Sequence, residues 1–367
     1  MHQWIDTPAA LADWIAAQPS PDLTGHGLIG LDTEFMRTDT FRPQLALVQV
    51  NIAGSIALLD APRLGDHAAL AAQLRDSRVT CVMHSASEDL EALAPLLPAG
   101  PAVLFDTQIA AAMVGLGPGL SYQKLVAALL GVDLPKAETR SDWLKRPLSA
   151  SQLEYAAQDV VHLPELHAQL ARKLDAQGRS AWLAEDCRRL IDKVRNTAPD
   201  TQPQRAFRAA SDWPHEQQAR LRRLLLWREA SARTLDKPRS WILDDARALS
   251  FAHEPPRDGE DLFERSKGLR ALRSAQRHEL LELVKAPPSP EELGIAPIPA
   301  PLTSADKKLI NTLRDDVAAV AAQHELPEGL LCPRKHLETL VGDKCWPAAL
   351  EGWRKGLLFE VFQARMN

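Results

Sequence analysis

Leu28-Ile29-Gly30-Leu31-Asp32-Thr33-Glu34-Phe35 has the composition of a buried β-strand except at Asp32 and Glu34, where carboxylates interrupt it. Side chains alternate across a strand, so acids two residues apart share a face and repel unless something neutralises them. Divalent cations such as Mg²⁺ or Mn²⁺ take oxygen ligands, and acids at alternate strand positions reach one ion or bridge two. A solvated strand face with no chemistry is the plainer reading of any Asp-x-Glu. The rest of the chain decides between them.

Outward from this strand, residues 45–51 and 55–60 are short runs rich in Val, Ile and Leu, with Ala53-Gly54 as the turn between them. The pattern predicts an antiparallel meander. Helical spacing at 66–74, a strand at 79–83, a helix at 86–97 ended by Pro98 and a strand at 103–106 follow. Helices at 107–114, 121–130 and 150–174 complete a mixed sheet covered on both faces. The run Asn196-Thr197-Ala198-Pro199-Asp200-Thr201-Gln202-Pro203 has linker composition, residues 216–284 read as all helical, and Ala286-Pro287-Pro288-Ser289-Pro290 precedes a helical stretch at 304–362. Three domains are expected, at 1–195, 213–286 and 304–367, joined by linkers at 196–212 and 287–303.

Length agrees, since 367 residues exceed what one hydrophobic core serves. With 45% hydrophobic and 25% charged residues, the composition is that of a soluble globular protein. No apolar run approaches the roughly 18 to 20 residues of a membrane span, and Met1-His2-Gln3-Trp4-Ile5-Asp6 lacks the pattern of a leader, so a cytoplasmic protein without a membrane partner is expected. Cys81, Cys187, Cys332 and Cys345 lie far apart, which argues against zinc and against a disulfide framework. The net charge of −5 argues against tight nonspecific nucleic-acid binding by the whole molecule. It is unevenly spread: residues 213–286 hold fifteen Lys and Arg against twelve acids, a balance of +3 that leaves −8 elsewhere. Acidity of that kind suits a site where metal ions supply the positive charge that meets a phosphate.

Further acids fall in telling places. Asp89 lies in His84-Ser85-Ala86-Ser87-Glu88-Asp89-Leu90, just after a predicted strand. Ser85 and Glu88 have capping-box spacing, which predicts a helix start there with Asp89 in its first turn. Alone, Asp89 could simply offset the helix dipole, and His84 reads as a structural histidine. Tyr155 and Asp159, in Glu154-Tyr155-Ala156-Ala157-Gln158-Asp159-Val160, are four apart on a helical pattern and share one face. In isolation they would be a packing tyrosine and a solvent-facing acid. Together the segments assemble four acids able to hold two ions about 4 Å apart for in-line phosphoryl chemistry.

This set, Asp32, Glu34, Asp89 and Asp159 with Tyr155, resembles the three exonuclease motifs of the DEDD superfamily in its tyrosine subgroup. Asp32-Thr33-Glu34-Phe35, Phe41-Arg42-Pro43-Gln44-Leu45, the 84–90 run and Ser141-Asp142-Trp143-Leu144-Lys145-Arg146-Pro147-Leu148 resemble the bacterial ribonuclease D family. Leu224-Leu225-Leu226-Trp227-Arg228-Glu229, Lys237-Pro238-Arg239 and Ile242-Leu243-Asp244-Asp245 are similar to an HRDC domain. The tail, with Leu326-Pro327, Leu330-Leu331-Cys332-Pro333-Arg334-Lys335 and Trp353-Arg354-Lys355, resembles a second, diverged copy.

The resemblance implies an α/β ribonuclease H-like exonuclease domain, a mixed sheet flanked by helices, followed by two all-α HRDC-like domains. It implies a metal-dependent 3′ to 5′ exoribonuclease that releases nucleoside 5′-monophosphates with two divalent ions, Mg²⁺ or Mn²⁺. Asp32 would bridge both ions, Glu34 and Asp159 would complete the water-activating site, Asp89 would support the second ion, and Tyr155 would position the water. The implied partner is RNA, chiefly precursor tRNA 3′ ends and other small structured RNAs, with no obligate protein partner. Phe35 is a candidate to stack on a terminal base, or else core. Lys136, Arg140, Lys145 and Arg146 are candidates for the RNA backbone, or else a solvated surface. Arg220, Arg222 and Arg223 are the phosphate-contact candidates of the first helical unit. Two other functions compete: a 3′ to 5′ DNA exonuclease of repair, which the same acids would serve, and a nonenzymatic RNA-binding scaffold, which loss of an acid would favour. All four acids are present.

Overall fold

A computed structural model describes residues 2–19, 27–134, 141–196 and 198–366. Strands β1 (His2–Ile5), β2 (Gly27–Met36), β3 (Gln44–Ile52), β4 (Ser55–Asp60), β5 (Val79–Met83) and β6 (Val103–Asp106) form one mixed sheet in the order β1-β4-β3-β2-β5-β6. The expected meander is β2-β3-β4, antiparallel throughout. Ala53 and Gly54, at φ 52° and 87°, make the tight turn between β3 and β4, with both central residues in the left-handed region that such hairpins need. β1, β5 and β6 join in parallel. β1 carries too little apolar alternation to be read from four residues; its partner is the otherwise open edge of β4.

Two local expectations are corrected. The helix expected at 150–174 is two, Ala150–Val161 and Leu163–Ala176, meeting at His162. Pro164 has no N–H to continue the ladder, yet is well suited to a first helical turn. The Val160 carbonyl that such an N–H would have met instead accepts the Asn51 side-chain amide at 2.9 Å. Gly30 allows the second helix to start directly on β2, since a Cβ there would meet Leu163 at 3.2 Å. The capping box at Ser85 and Glu88 does not form: the helix is Ser87–Leu93, without a side-chain cap, and Ser85 is left-handed at φ 62°. A tertiary carboxylate takes over. Asp106, only 1% exposed, accepts the backbone N–H groups of Ser85 and Ala86 at 3.3 and 2.8 Å, and those of Gln108 and Ile109 at 2.9 and 3.1 Å.

Beyond the helix Ser180–Arg195 the chain is helical. Leu221, Leu224, Phe251 and Leu280 centre a separate apolar core, which Ala210 and Ile298, from the segments with linker composition, also join. Asp236 accepts the N–H groups of Phe41 and Arg42 at 3.1 Å each, tying this unit to the loop after β2. The C-terminal helices instead share the sheet's own core: Ile310, Leu313, Trp353 and Phe362 are continuous with Leu31, Val48 and Leu90. Trp182 stacks on Trp353 at 4.7 Å and 9°, and Arg354 forms a bidentate pair with buried Asp186 at 2.5 and 2.8 Å. Among the described residues no helix is long and apolar enough to cross a membrane. All four cysteines are free thiols.

Candidate active site

β2 pairs Asp32 with Gln49 and Glu34 with Leu47 on β3, so both acids share the face that the Ala150–Val161 helix covers. Just after Glu34 the register slips, with Phe35 opposite Leu45, and this bulge ends the regular pairing at the site's rim. The covering helix is firmly started: Ser149 accepts the Gln152 N–H at 3.2 Å, and Gln152 accepts the Ser149 N–H at 2.9 Å. One turn separates Tyr155 from Asp159, and the phenol lies beside that carboxylate, where it favours the charged form. Carboxylate oxygens of Asp32, Glu34 and Asp159 lie within 4.8 Å of one another. Asp89 enters from the other face of β2, where the Thr33 hydroxyl donates to its Oδ1 at 2.5 Å. The five residues expected from sequence therefore meet in one place, with Asp89 set apart from the tight group of three and held by a threonine that sequence did not single out.

Electrostatics says what this arrangement lacks. Burial, then the charges of Asp89, Asp159 and Glu34, push Asp32 well above the ordinary carboxylate range. Burial and the neighbouring acids raise Glu34 to about 8. Burial likewise lifts Asp159 to about 7 and Asp89 to about 6, in each case against a hydrogen bond, from Tyr155 or Thr33, that favours the charged form. Among the described residues no Lys, Arg or His pairs with any of the four. An all-oxygen set of clustered acids without a protein counter-charge fits hard divalent cations. Asp32, Glu34 and Asp159 are the residues able to hold one directly, with Asp89 adjacent.

The supports of Asp159 went unread in the sequence. Tyr122 donates to the Gln158 carbonyl and accepts the His162 N–H, both at 3.1 Å, while Asn51 holds the Val160 carbonyl. These contacts clamp the end of the helix on which Asp159 sits. Tyr122 and Tyr155 are the chain's only two tyrosines, and that scarcity was the available signal. His84 is structural as read: its ring is held by the Thr107 hydroxyl at 2.9 Å and the Leu120 carbonyl at 3.0 Å, edge-on to Tyr122.

Several cation assignments do not survive. Arg146 is committed to fully buried Asp60 through two hydrogen bonds of 2.9 and 2.8 Å, and to the carbonyls of Trp143 and Ala46, so it braces the 141–148 loop against the sheet. Arg220 and Arg222 donate to the carbonyls of Ala252 and Thr201 at 2.8 and 2.7 Å, and Arg223 binds Glu292 and the carbonyls of Leu283 and Ala286. They hold the helical unit together. Lys136 and Arg140 lie outside the described residues. Lys145 is exposed, and Phe35 is half-buried beside the acids and belongs to none of the three apolar cores among the described residues.

A family model described as 3′-5′ exonuclease matches residues 2–175. The ribonuclease D of Xanthomonas oryzae pv. oryzae is 43% identical over 359 residues, covering 98% of this chain and 96% of that relative. The chain belongs to the ribonuclease D family. The ribonuclease D of Pseudomonas paraeruginosa is 36% identical, over 96% of this chain and 94% of its own. The crystal structure of Escherichia coli RNase D, described as an exoribonuclease involved in structured RNA processing, matches with a TM-score of 0.85 and 28% identity over 100% of this chain and 98% of its own. The likeness thus spans the helical C-terminal region as well as the acid-bearing sheet.

Proposed function

We infer that this chain is a 3′ to 5′ exoribonuclease that hydrolyses RNA with the help of two divalent cations, Mg²⁺ or Mn²⁺. The convergence of Asp32, Glu34 and Asp159 beside Asp89 and Tyr155 carries this reading. Cations held there supply Lewis acidity to the scissile phosphate and lower the pKa of nearby water. Asp32, central in the cluster, would help to hold both cations. Glu34 and Asp159 would hold the cation on the water side, and Asp89, bonded by Thr33, would support the one on the side of the leaving 3′ oxygen. The Tyr155 hydroxyl, beside Asp159, would orient the attacking water, and Phe35 would stack on the terminal base. Family likeness over the whole chain favours RNA over DNA, with precursor tRNA 3′ ends and other small structured RNAs in the cytoplasm as the substrates, and the two helical units as HRDC-like domains at about 213–286 and 304–367.

Tyr155→Phe separates orientation from metal holding. Mn²⁺ binding should stay within about twofold of wild type, while kcat falls about 10- to 100-fold, the effect of one hydrogen bond of about 1.5–3 kcal/mol. Titration calorimetry with Mn²⁺ and single-turnover digestion measure the two effects; an unchanged kcat contradicts the role.

The first helical unit offers RNA a different surface from the one its arginine-rich helix suggested. A cleft of about 480 Å³ opens between Arg37 to Phe41, just past the site, and Pro238 to Trp241. Trp241 lies under Lys237 and Arg270, and exposed Phe263 under Lys267 and Arg277. Among the described residues Arg270, Arg273 and Arg277 have no carboxylate partner, and Arg270 and Arg277 lie over aromatic faces, the two kinds of group that bind single-stranded RNA. Replacing Arg270 and Arg277 together by Ala should weaken RNA binding alike across sequences and reduce the log-log salt slope by about 1 to 2. Titrations at several salt concentrations check this, and an unchanged slope removes the surface from the RNA path.

A further inference from the structure

We propose that Gln49 is a positioning residue for the metal-binding carboxylates, its side-chain amide orienting Asp32 when cations are held; the proposal rests on the two-cation reading above. Gln49 is the cross-strand partner of Asp32, on the same face of the sheet. Directly opposed residues in an antiparallel pair bring their Cβ atoms to about 4.5–5.5 Å, within reach of a glutamine amide. Its neighbours on that face fix where it lies. Leu47 packs with Ala156 and Ala157, and Asn51 donates to the Val160 carbonyl, so Gln49 between them lies beneath the helix that carries Tyr155 and Asp159.

Gln49 is fully buried, and neither its amide nitrogen nor its oxygen has a hydrogen-bond partner within the protein. Other buried amides nearby and elsewhere are used: Asn51 binds helix carbonyls, and Gln218 donates to the carbonyls of Ser211 and Trp213. On β4 the residue across from Gln49 is Leu58, which offers no partner. A buried amide without a partner is costly, and a leucine, like Leu47 and Leu58 around it, would fill the same space without that cost. As packing alone the residue is therefore a poor choice. Its one charged neighbour across the ladder is Asp32, and an N–H donor behind that carboxylate fixes which way its oxygens face. Catalytic sites often keep a locally unfavourable group of this kind because the function needs it.

The consequence is a split in sign that a structural role would not give. Gln49→Met conserves volume and removes the amide. The thermal midpoint in chelator should be equal to or above wild type, Mn²⁺ affinity should fall about 10- to 100-fold, and kcat on single-stranded RNA should fall by a similar factor with little change in KM. Gln49→Leu should behave alike, and adding Gln49→Met to Asp32→Asn should cause little further loss of Mn²⁺ binding, because the two act as one unit. A lowered midpoint in chelator together with unchanged Mn²⁺ affinity overturns the proposal in favour of packing. Wild-type Mn²⁺ affinity and kcat overturn it outright. Asp32→Asn, measured alongside, keeps the two failures apart: if it too binds Mn²⁺ as wild type does, the metal-site reading itself falls, whereas loss in Asp32→Asn alone removes only Gln49.

Discussion

Asp32→Asn should lower exoribonuclease turnover by at least about 10³-fold, because the carboxylate proposed to hold both cations would contribute several kcal/mol of charge stabilisation, and about 4 kcal/mol corresponds to that factor. The same change makes the chelated protein more stable at neutral and alkaline pH. Asp32, Glu34, Asp159 and Asp89 all have folded-state pKa values raised by burial and mutual repulsion, to about 8, 7 and 6 for the last three. A raised carboxylate pKa means the folded form holds its protons more tightly than the unfolded chain. The stability so contributed is complete below the unfolded value of about 4 and is lost as pH rises through about 6 to 8. Chelated wild type should therefore soften across that window, Mn²⁺ should restore it, and Asp32→Asn should show a flatter pH profile with little response to the ion. Thermal melts at several pH values, with and without Mn²⁺, measure all three. A chelated wild type indifferent to pH in this window contradicts the account.

Arg354→Ala costs about 3–5 kcal/mol of stability by leaving the buried Asp186 carboxylate without its partner. The pair is 11% and 8% exposed, and the Trp353 indole N–H also donates to Asp186, at 3.3 Å. Because the C-terminal helices share one apolar cluster with the sheet, the loss should lower the denaturant midpoint of the exonuclease unit itself. Replacing both partners with apolar residues, Asp186→Leu with Arg354→Met, should recover most of it, since exchanging a buried pair for hydrophobes is often near neutral. Urea titrations of the three proteins decide. A loss below about 1 kcal/mol in Arg354→Ala would mean that the pair is in effect solvated.

What sequence made legible was what depends on local period. The meander of β2, β3 and β4 announced itself by runs of Val, Ile and Leu and by Ala53-Gly54, and the acids stood out because they broke those runs. Helical spacing put Tyr155 and Asp159 on one face, and the other acids gave that face its meaning. What stayed hidden depends on distant partners. The break at His162 needs Asn51 to replace the hydrogen bond that Pro164 cannot make, and Ser85 loses its capping role to Asp106, 21 residues away. Arginines misled most, because a guanidinium has the same letter whether it faces solvent or, as in Arg146 and Arg223, spends its donors on a buried carboxylate or on carbonyl groups. Gln49 was unreadable for the opposite reason: its meaning lies in having no partner, which only burial reveals.

The most direct test is digestion of 5′-labelled single-stranded RNA and its matched DNA, together with a tRNA precursor bearing a 3′ extension, in Mg²⁺ or Mn²⁺ and in chelator. The predicted result is a ladder shortening one nucleotide at a time from the 3′ end, on RNA in preference to DNA, abolished by chelator. Internal cleavage, full activity in chelator, or equal digestion of DNA would contradict it.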